Sequence, residues 1–211
     1  PGFLTDSNQW IRHTEAIGWW VDRMASLGQP ATVPTPAPAV STALPIHERM
    51  TWFWHDHFAC GQSKVIAFNS MWEQIRDFRR LALGGFDELL RNASLSSAML
   101  LFLDNHTNDV QSPQENFGRE LMELYSCGVG HYTEADVVAM TRAWTGHGIV
   151  GDNGSFWDPS YHYWTARHDH EPKTLFGITA NWNGVAVLPG ERDTITELVH
   201  GVRQEATARF I

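Results

Sequence analysis

A run of prolines between Pro30 and Pro45 constrains the fold of this chain more than any other feature. Five prolines fall within these sixteen residues. Because proline lacks a backbone N–H and its ring clashes with the preceding helical turn, the run excludes a regular helix and favours an extended connector. We therefore divide the chain into an N-terminal helical segment over residues 1–29, a Pro-rich linker over 30–45 and a core over 46–211.

Apolar residues recur at helical spacing on both sides of the linker. The pattern and its caps predict helices near residues 10–24, 46–60, 70–83, 86–91, 96–103, 114–127, 133–144 and 194–211. Thr133 and Asp136 have the spacing of a capping box, and Asp193 is a candidate cap for the last helix. Residues 151–183 show no helical period, and we expect loops with one or two short strands there. The predicted fold is mainly α, an irregular multi-helix domain with a small β-containing excursion near residues 150–190.

Composition narrows the class of protein. Hydrophobic residues make up 43% of the chain and charged residues 18%, as in a folded globular protein. The net charge is −9 and the basic residues are scattered, so nucleic acid is not an expected partner. The longest apolar run, Ala98–Leu103, is far shorter than the roughly 20 residues of a transmembrane helix, so we expect no membrane span. Composition and charge do not indicate the oligomeric state.

The cysteines and the chain ends leave alternatives open. Cys60 and Cys127 are too few for a disulfide framework, and either one bridge or two buried thiols fits the sequence. The chain starts at Pro1 without a start methionine, and its last predicted helix still runs at Ile211. We therefore expect a core that is truncated at both ends.

The segment His55-Asp56-His57 contains two candidate metal ligands, one on each side of an aspartate. Side chains two positions apart on a helix point about 200° apart, so the two imidazoles cannot share one metal ion from a regular helix. Metal-binding histidines on helices usually stand three or four residues apart. The alternative is that one imidazole hydrogen-bonds a neighbouring helix within an aromatic core.

Carboxylates and an arginine occupy one face of the predicted helix over residues 114–127. Glu115, Arg119 and Glu123 share a stripe with Glu120, while Phe117 belongs to the apolar face. Such a stripe supplies metal ligands, a general acid and base, or an ion-pair network. Glu115 and Arg119 also have the favoured order of an i, i+4 ion pair, so an ordinary solvated helix face remains open.

Two further polar clusters lie in loop-like surroundings. His106 is in the segment 104–108, directly after an apolar run, where it either caps the chain or lines a cleft. His168, Asp169 and His170 follow in a loop region dense in donors and acceptors, although their spacing matches no zinc signature. Ten tryptophans allow a sugar-stacking surface, but core packing explains most of them. Motifs of serine hydrolases and nucleotide-binding loops are missing from the sequence.

Five blocks together carry a family resemblance. They are ERMTWFWHDHF, LDNHTN, ENFGRELMELYSCGVGHYTEADV, TRAWTG and HDHEPKTLFG, in this order along the chain. From about Trp20 to Ile211 the chain resembles the bacterial family catalogued as domain of unknown function 1800. The resemblance implies that the motif residues belong to one site, and that the protein is periplasmic or secreted. It brings no activity and no catalytic residue with it.

These patterns give two hypotheses. The first is an exported hydrolase that acts on polysaccharide or another polymer, with a divalent metal ion as one option for its cofactor. Its catalytic candidates are Glu115, Arg119, Glu120 and Glu123. Its candidate metal ligands are His55, His57, His106, His168 and Asp169. The second hypothesis is a non-enzymatic surface or assembly module, in which the same blocks form a structural polar network.

Overall fold

The computed structural model describes residues 8–25, 45–151 and 159–211. The Pro-rich segment over 30–44 lies outside these ranges, while Pro45 is the first residue of a helix, where its missing N–H costs nothing. The helices within the described ranges are α1 (Gln9–Ala25), α2 (Pro45–His57), α3 (Phe68–Leu81), α4 (Phe86–Leu95), α5 (Ser97–Phe102), α6 (Glu115–Glu123), α7 (Glu134–Ala143), α8 (Thr194–His200) and α9 (Gln204–Phe210).

Within the described residues, all strands follow α7, and one isolated β-bridge joins Asp109 to Ser112. The strands are β1 (His147–Gly151), β2 (Pro159–Tyr163), β3 (Lys173–Leu175), β4 (Ile178–Ala180), β5 (Trp182–Asn183) and β6 (Arg192–Asp193). β1 and β2 pair antiparallel, β3 and β4 likewise, and β5 and β6 form a parallel pair. This confirms the predicted fold class, mainly α with a small β excursion.

The main hydrophobic core draws residues from α2 to α8, and one part of it lies between α6, α7 and the strands that follow them. The ring of Phe117 on the apolar face of α6 is 4.6 Å from the ring of Trp144 at the end of α7, and both side chains are fully buried. Trp144 donates its indole N–H to the hydroxyl of Thr194, which joins the end of α7 to the start of α8. The β-containing region is therefore fixed to the helical core through this tryptophan.

Two predicted helix caps are present in the structure, but the last predicted helix is divided in two. Thr133 and Asp136 form the predicted capping box at α7, and Asp193 accepts from the backbone N–H of Thr196 at α8. The predicted single helix over 194–211 is divided into α8 and α9 by Gly201, whose backbone is not helical. A Cβ at Gly201 would overlap the Glu197 carboxylate, so this turn depends on glycine.

The described part of the chain bears on the cysteines and on membrane-spanning helices. Cys60 and Cys127 are separate, buried free thiols, so the alternative of a bridge between them is not realised. No helix within the described ranges is long and apolar enough to cross a membrane.

Candidate metal centre

Three side chains from two loops converge beside β5 and β6. His168 and His170 follow a short 3₁₀ turn over 165–167, and Glu191 directly precedes β6. One ligating atom of each residue lies within 4.8 Å of the corresponding atoms of the other two. His168 is buried, Glu191 is partly buried and His170 is exposed, so the group is closed on one side and open to solvent on the other. We call these three residues the triad.

His168 is held by a backbone carbonyl at the end of α7. Its Nδ1 is 2.8 Å from the Thr145 carbonyl oxygen. Because a carbonyl oxygen can only accept a hydrogen bond, Nδ1 carries the proton and Nε2 keeps its lone pair. Burial lowers the pKa of His168, although the bond to Thr145 acts in the opposite direction. The imidazole is therefore neutral near pH 7, which is the form that binds metals.

His170 has the opposite tautomer. Its Nε2 is 2.9 Å from the Thr165 carbonyl oxygen, so Nε2 carries the proton and Nδ1 keeps its lone pair. Metal-binding histidines typically donate their second N–H to a carbonyl or carboxylate oxygen, which fixes the ring. Both triad histidines have this arrangement.

Glu191 is oriented through one of its two oxygens. Oε2 accepts from the side-chain amide of Asn183 at 2.9 Å and from the backbone N–H groups of Val187 at 2.9 Å and Leu188 at 2.8 Å. Burial would raise the pKa of Glu191, but these donors hold it below its usual value. The carboxylate is therefore an anion, and Oε1 remains for a ligand.

The triad spacing is compatible with a metal site after small side-chain movements. With bonds of about 2.0 Å, ligand atoms of a tetrahedral zinc site lie roughly 3.3 Å apart. Two triad atoms at the upper bound of 4.8 Å would have to approach each other by about 1.5 Å to bind the same ion.

Nearly the whole chain matches one protein family. The model of the family described as protein of unknown function (DUF1800) matches residues 9–211, nearly the whole chain. The chain belongs to the DUF1800 family. The match confirms the resemblance drawn from the sequence blocks, and the last of those blocks, residues 168–177, contains both triad histidines. No curated protein and no solved structure matches the chain.

In this DUF1800 domain, the Asp169 carboxylate is bound to other groups and lies outside the triad. It accepts from the Arg142 guanidinium at 2.6 Å and from the Glu171 backbone N–H at 2.9 Å. Lys173, buried at the start of β3, donates its ammonium group to the carbonyl oxygens of Asp169 and Glu171. These bonds shape the loop that carries the two triad histidines, and the role of Asp169 as a metal ligand stays a prediction.

The other three predicted histidine ligands lie apart from the triad. The His55 ring is 5.2 Å from the ring of Trp20, within an aromatic cluster of α1 and α2. His57 is 3.3 Å from the Tyr125 carbonyl oxygen, and His106 is 3.2 Å from that of Leu100. Among the residues described, none of these three joins a cluster of three ligating side chains.

Two of the four predicted catalytic residues of α6, Glu115 and Arg119, belong to an ion-pair group at the surface. Arg119 donates to both carboxylate oxygens of Glu134, at 2.9 and 2.7 Å, and lies 3.6 Å from Glu115. Glu123 accepts from the hydroxyl of Tyr132. Burial, with the neighbouring Glu123, raises the pKa of Glu120. The assignment of these carboxylates as acid and base stays a prediction.

Sequence reasoning does not find Glu191 or its neighbours. His170 stands in a cluster that the sequence does indicate, but Glu191 comes 21 residues later in a Gly- and Pro-containing loop. A parallel pairing of only two residues, Asn183 opposite Asp193, brings this loop to the histidines. The pattern LPGERD contains a helix cap but no metal-binding signature. Glu191 can therefore be recognised as a candidate ligand only from its long-range contact with the histidines.

Proposed function

We propose that this DUF1800 domain is a metal-dependent hydrolase that holds one divalent ion between His168, His170 and Glu191. The observation that carries the proposal is the orientation of the triad. Each residue has one polar atom hydrogen-bonded to the protein, and one ligating atom of each residue lies within 4.8 Å of those of the other two. Outer hydrogen bonds of this kind are typical of metal-ligating residues.

The ligand types support hydrolysis. Two imidazoles and one carboxylate with an open position form the ligand set of several zinc hydrolases. A metal held this way would lower the pKa of a bound water to about 7 and so supply hydroxide at neutral pH. The solvent-exposed side of the triad, at His170, is where a water and a substrate would approach.

Tyr163 adds a hydrogen-bond donor beside the triad. Its hydroxyl oxygen accepts from the Asn183 amide at 3.1 Å, and the same amide nitrogen is 2.9 Å from Glu191. Burial raises the pKa of Tyr163 to about 12, so it keeps its proton at neutral pH. In the proposed reaction this O–H stabilises the negative charge that develops on the substrate.

The substrate class and the location belong to the same proposal. Glu171 and Pro172, which follow His170 in the chain, are exposed, so a long chain molecule could reach the open side of the triad from solvent. This geometry suits polysaccharide or another polymer. Periplasmic or secreted location rests on the family resemblance, and fractionation of the source cells tests it.

Metal content tests the proposal most directly. We expect about one zinc or other divalent ion per chain by elemental mass spectrometry, and its loss in His168→Ala and Glu191→Gln. His162→Ala is the matched control, because His162 is an exposed imidazole on β2 outside the triad. Chelation of the wild type should abolish hydrolysis in a screen of polysaccharides and peptides, and added zinc should restore it.

A structural role is the competing function. The Arg142–Asp169 pair at 2.6 Å and the bonds of Lys173 to two carbonyl oxygens show that part of this polar region is mutually satisfied. If the wild type contains no metal after supplementation, and if triad variants lower thermal stability without changing any activity, the triad belongs to that network. The chain would then be a surface or assembly module.

A further inference from the structure

We infer that Asn183 is a positioning residue for the metal ligand Glu191, and that His147 fixes the orientation of the Asn183 amide. The inference rests on the proposed metal site. Asn183 and His147 would contact neither the metal nor a substrate. They belong to a row of hydrogen-bonded side chains that leads from Tyr161 to Glu191.

Asn183 is the connection between Glu191 and the protein core. Of the three donors to Glu191 Oε2, the N–H groups of Val187 and Leu188 belong to the same exposed loop as Glu191 itself. They move with that loop and cannot fix its position relative to the histidines. Asn183 is fully buried on β5, so its amide is the donor that ties Glu191 to a rigid element.

The segment around Asn183 is anchored on both sides. The preceding residue, Trp182, is buried and pairs with Arg192 in the β5–β6 ladder. The following residue, Gly184, donates its backbone N–H to the Ala143 carbonyl oxygen at 2.7 Å. The end of α7 therefore holds His168 through Thr145 and holds the strand of Asn183 through Ala143. The histidine side and the glutamate side of the triad are thus attached to the same helix end.

Glu191 and His147 together hold the Asn183 amide in one orientation. The Asn183 nitrogen faces Glu191, whose carboxylate can only accept, so the amide oxygen faces His147 Nε2 at 2.5 Å. His147 must therefore donate from Nε2, and its Nδ1 accepts from the Tyr161 hydroxyl at 2.9 Å. A flipped amide would place an N–H against an N–H and an oxygen against the carboxylate, which costs both hydrogen bonds.

The chain Tyr161–His147–Asn183–Glu191 is thus satisfied by a single arrangement of protons. His147 and Asn183 are both fully buried, so water does not replace a lost partner without rearrangement. A carboxylate that is held in this way presents Oε1 to a metal in one position. Outer hydrogen bonds of ligating carboxylates contribute roughly 10- to 100-fold to metal affinity.

Cobalt binding to the whole chain provides the test, because Co²⁺ reports both affinity and ligand geometry through its visible absorption. We expect Asn183→Ala to weaken Co²⁺ binding by roughly 10- to 100-fold and to shift the absorption bands. The matched control is Asn181→Ala, two residues away, whose side chain is exposed and should leave affinity and spectrum unchanged.

A second pair of variants separates positioning from loss of fold. His147→Leu removes the donor to Asn183, whereas His147→Gln can place an amide N–H near the position of Nε2. We expect weakened Co²⁺ binding in the first and recovery towards the wild type in the second. Should the core variants fail to fold by circular dichroism, Tyr161→Phe deletes one hydroxyl and should weaken binding by roughly 2- to 10-fold.

The outcomes distinguish this inference from the proposed function. Wild-type affinity and spectrum in a folded Asn183→Ala variant, or in both His147→Leu and Tyr161→Phe, would overturn the positioning role and leave the metal site standing. A wild-type chain that binds no Co²⁺ and no Zn²⁺ would overturn the metal site itself, and the inference with it.

Discussion

At the scale of single residues, His147 couples stability to pH. Its imidazole is fully buried, and burial lowers its pKa to about 4 from an ordinary value of 6.5. Between these values the unfolded chain binds a proton that the folded protein does not. Stability therefore rises with pH across this window, is fully present above about pH 6.5 and is lost as pH falls towards 4.

We predict that replacing His147 flattens this dependence. The shift of His147 corresponds to roughly 3 kcal/mol of stability lost between pH 6.5 and pH 4. Urea unfolding of the wild type and of His147→Gln at both pH values should give a smaller difference for the variant. His162→Gln is the control, since His162 is exposed. Equal differences in all three proteins would contradict the assigned pKa.

The sequence indicates part of the residue-scale picture. His168 and His170 are recognisable because they stand together in a loop rich in polar groups. Glu191 and Asn183 look like ordinary loop and strand residues, because their role arises from hydrogen bonds across the β5–β6 pair. Local patterns cannot reveal a ligand whose partners lie 21 and 23 positions earlier.

At the scale of elements, Gly184 sets how closely β5 approaches α7. A Cβ at Gly184 would lie 2.5 Å from the indole of Trp144, and the backbone N–H of Gly184 bonds to Ala143 at 2.7 Å. Trp144 is fully buried and its ring has no space to retreat. Only glycine allows the strand to pass over the tryptophan face at this distance.

We predict opposite effects of two glycine-to-alanine changes. Gly184→Ala should destabilise the fold by about 1–3 kcal/mol through overpacking against Trp144. Gly18→Ala, in α1, meets no atom within 4 Å and should stabilise by about 0.5–1 kcal/mol through higher helix propensity. Thermal unfolding of both variants beside the wild type checks the pair. A Gly184→Ala protein as stable as the wild type would show that β5 is not packed as described.

Element boundaries were predictable where the cause is local. The capping box of Thr133 and Asp136 and the cap at Asp193 follow from three-residue spacings, and the structure confirms them. The break between α8 and α9 was missed, because Gly201 within a helical pattern ends a helix only when tertiary contacts favour it. Here Thr207 of α9 donates its hydroxyl to the Leu198 carbonyl, which folds α9 back onto α8.

At the scale of the whole molecule, the two cysteines are inert parts of the core. Cys60 and Cys127 are buried and unbridged, and burial raises the pKa of Cys60 to about 12 and that of Cys127 above its usual value. Thiolate is the reactive form, so neither thiol reacts readily while the fold is intact.

We predict slow labelling of the native chain by a thiol reagent such as DTNB, and rapid labelling of two thiols after denaturation without reductant. A mild reductant should leave the melting temperature unchanged. Recovery of no thiols from the denatured, unreduced protein would instead demonstrate a disulfide.

The sequence by itself determined the helical class, most helix positions, several caps and the family, because these depend on periodicity and on short motifs. Tertiary structure alone decided which polar residues meet. It placed His55, His57 and His106 outside the triad. It also paired Asp169 with Arg142 and brought Glu191 close to His168 and His170. The physical reason is that a metal site needs side chains within a few ångströms, and here a two-residue strand pair between distant loops supplies that proximity.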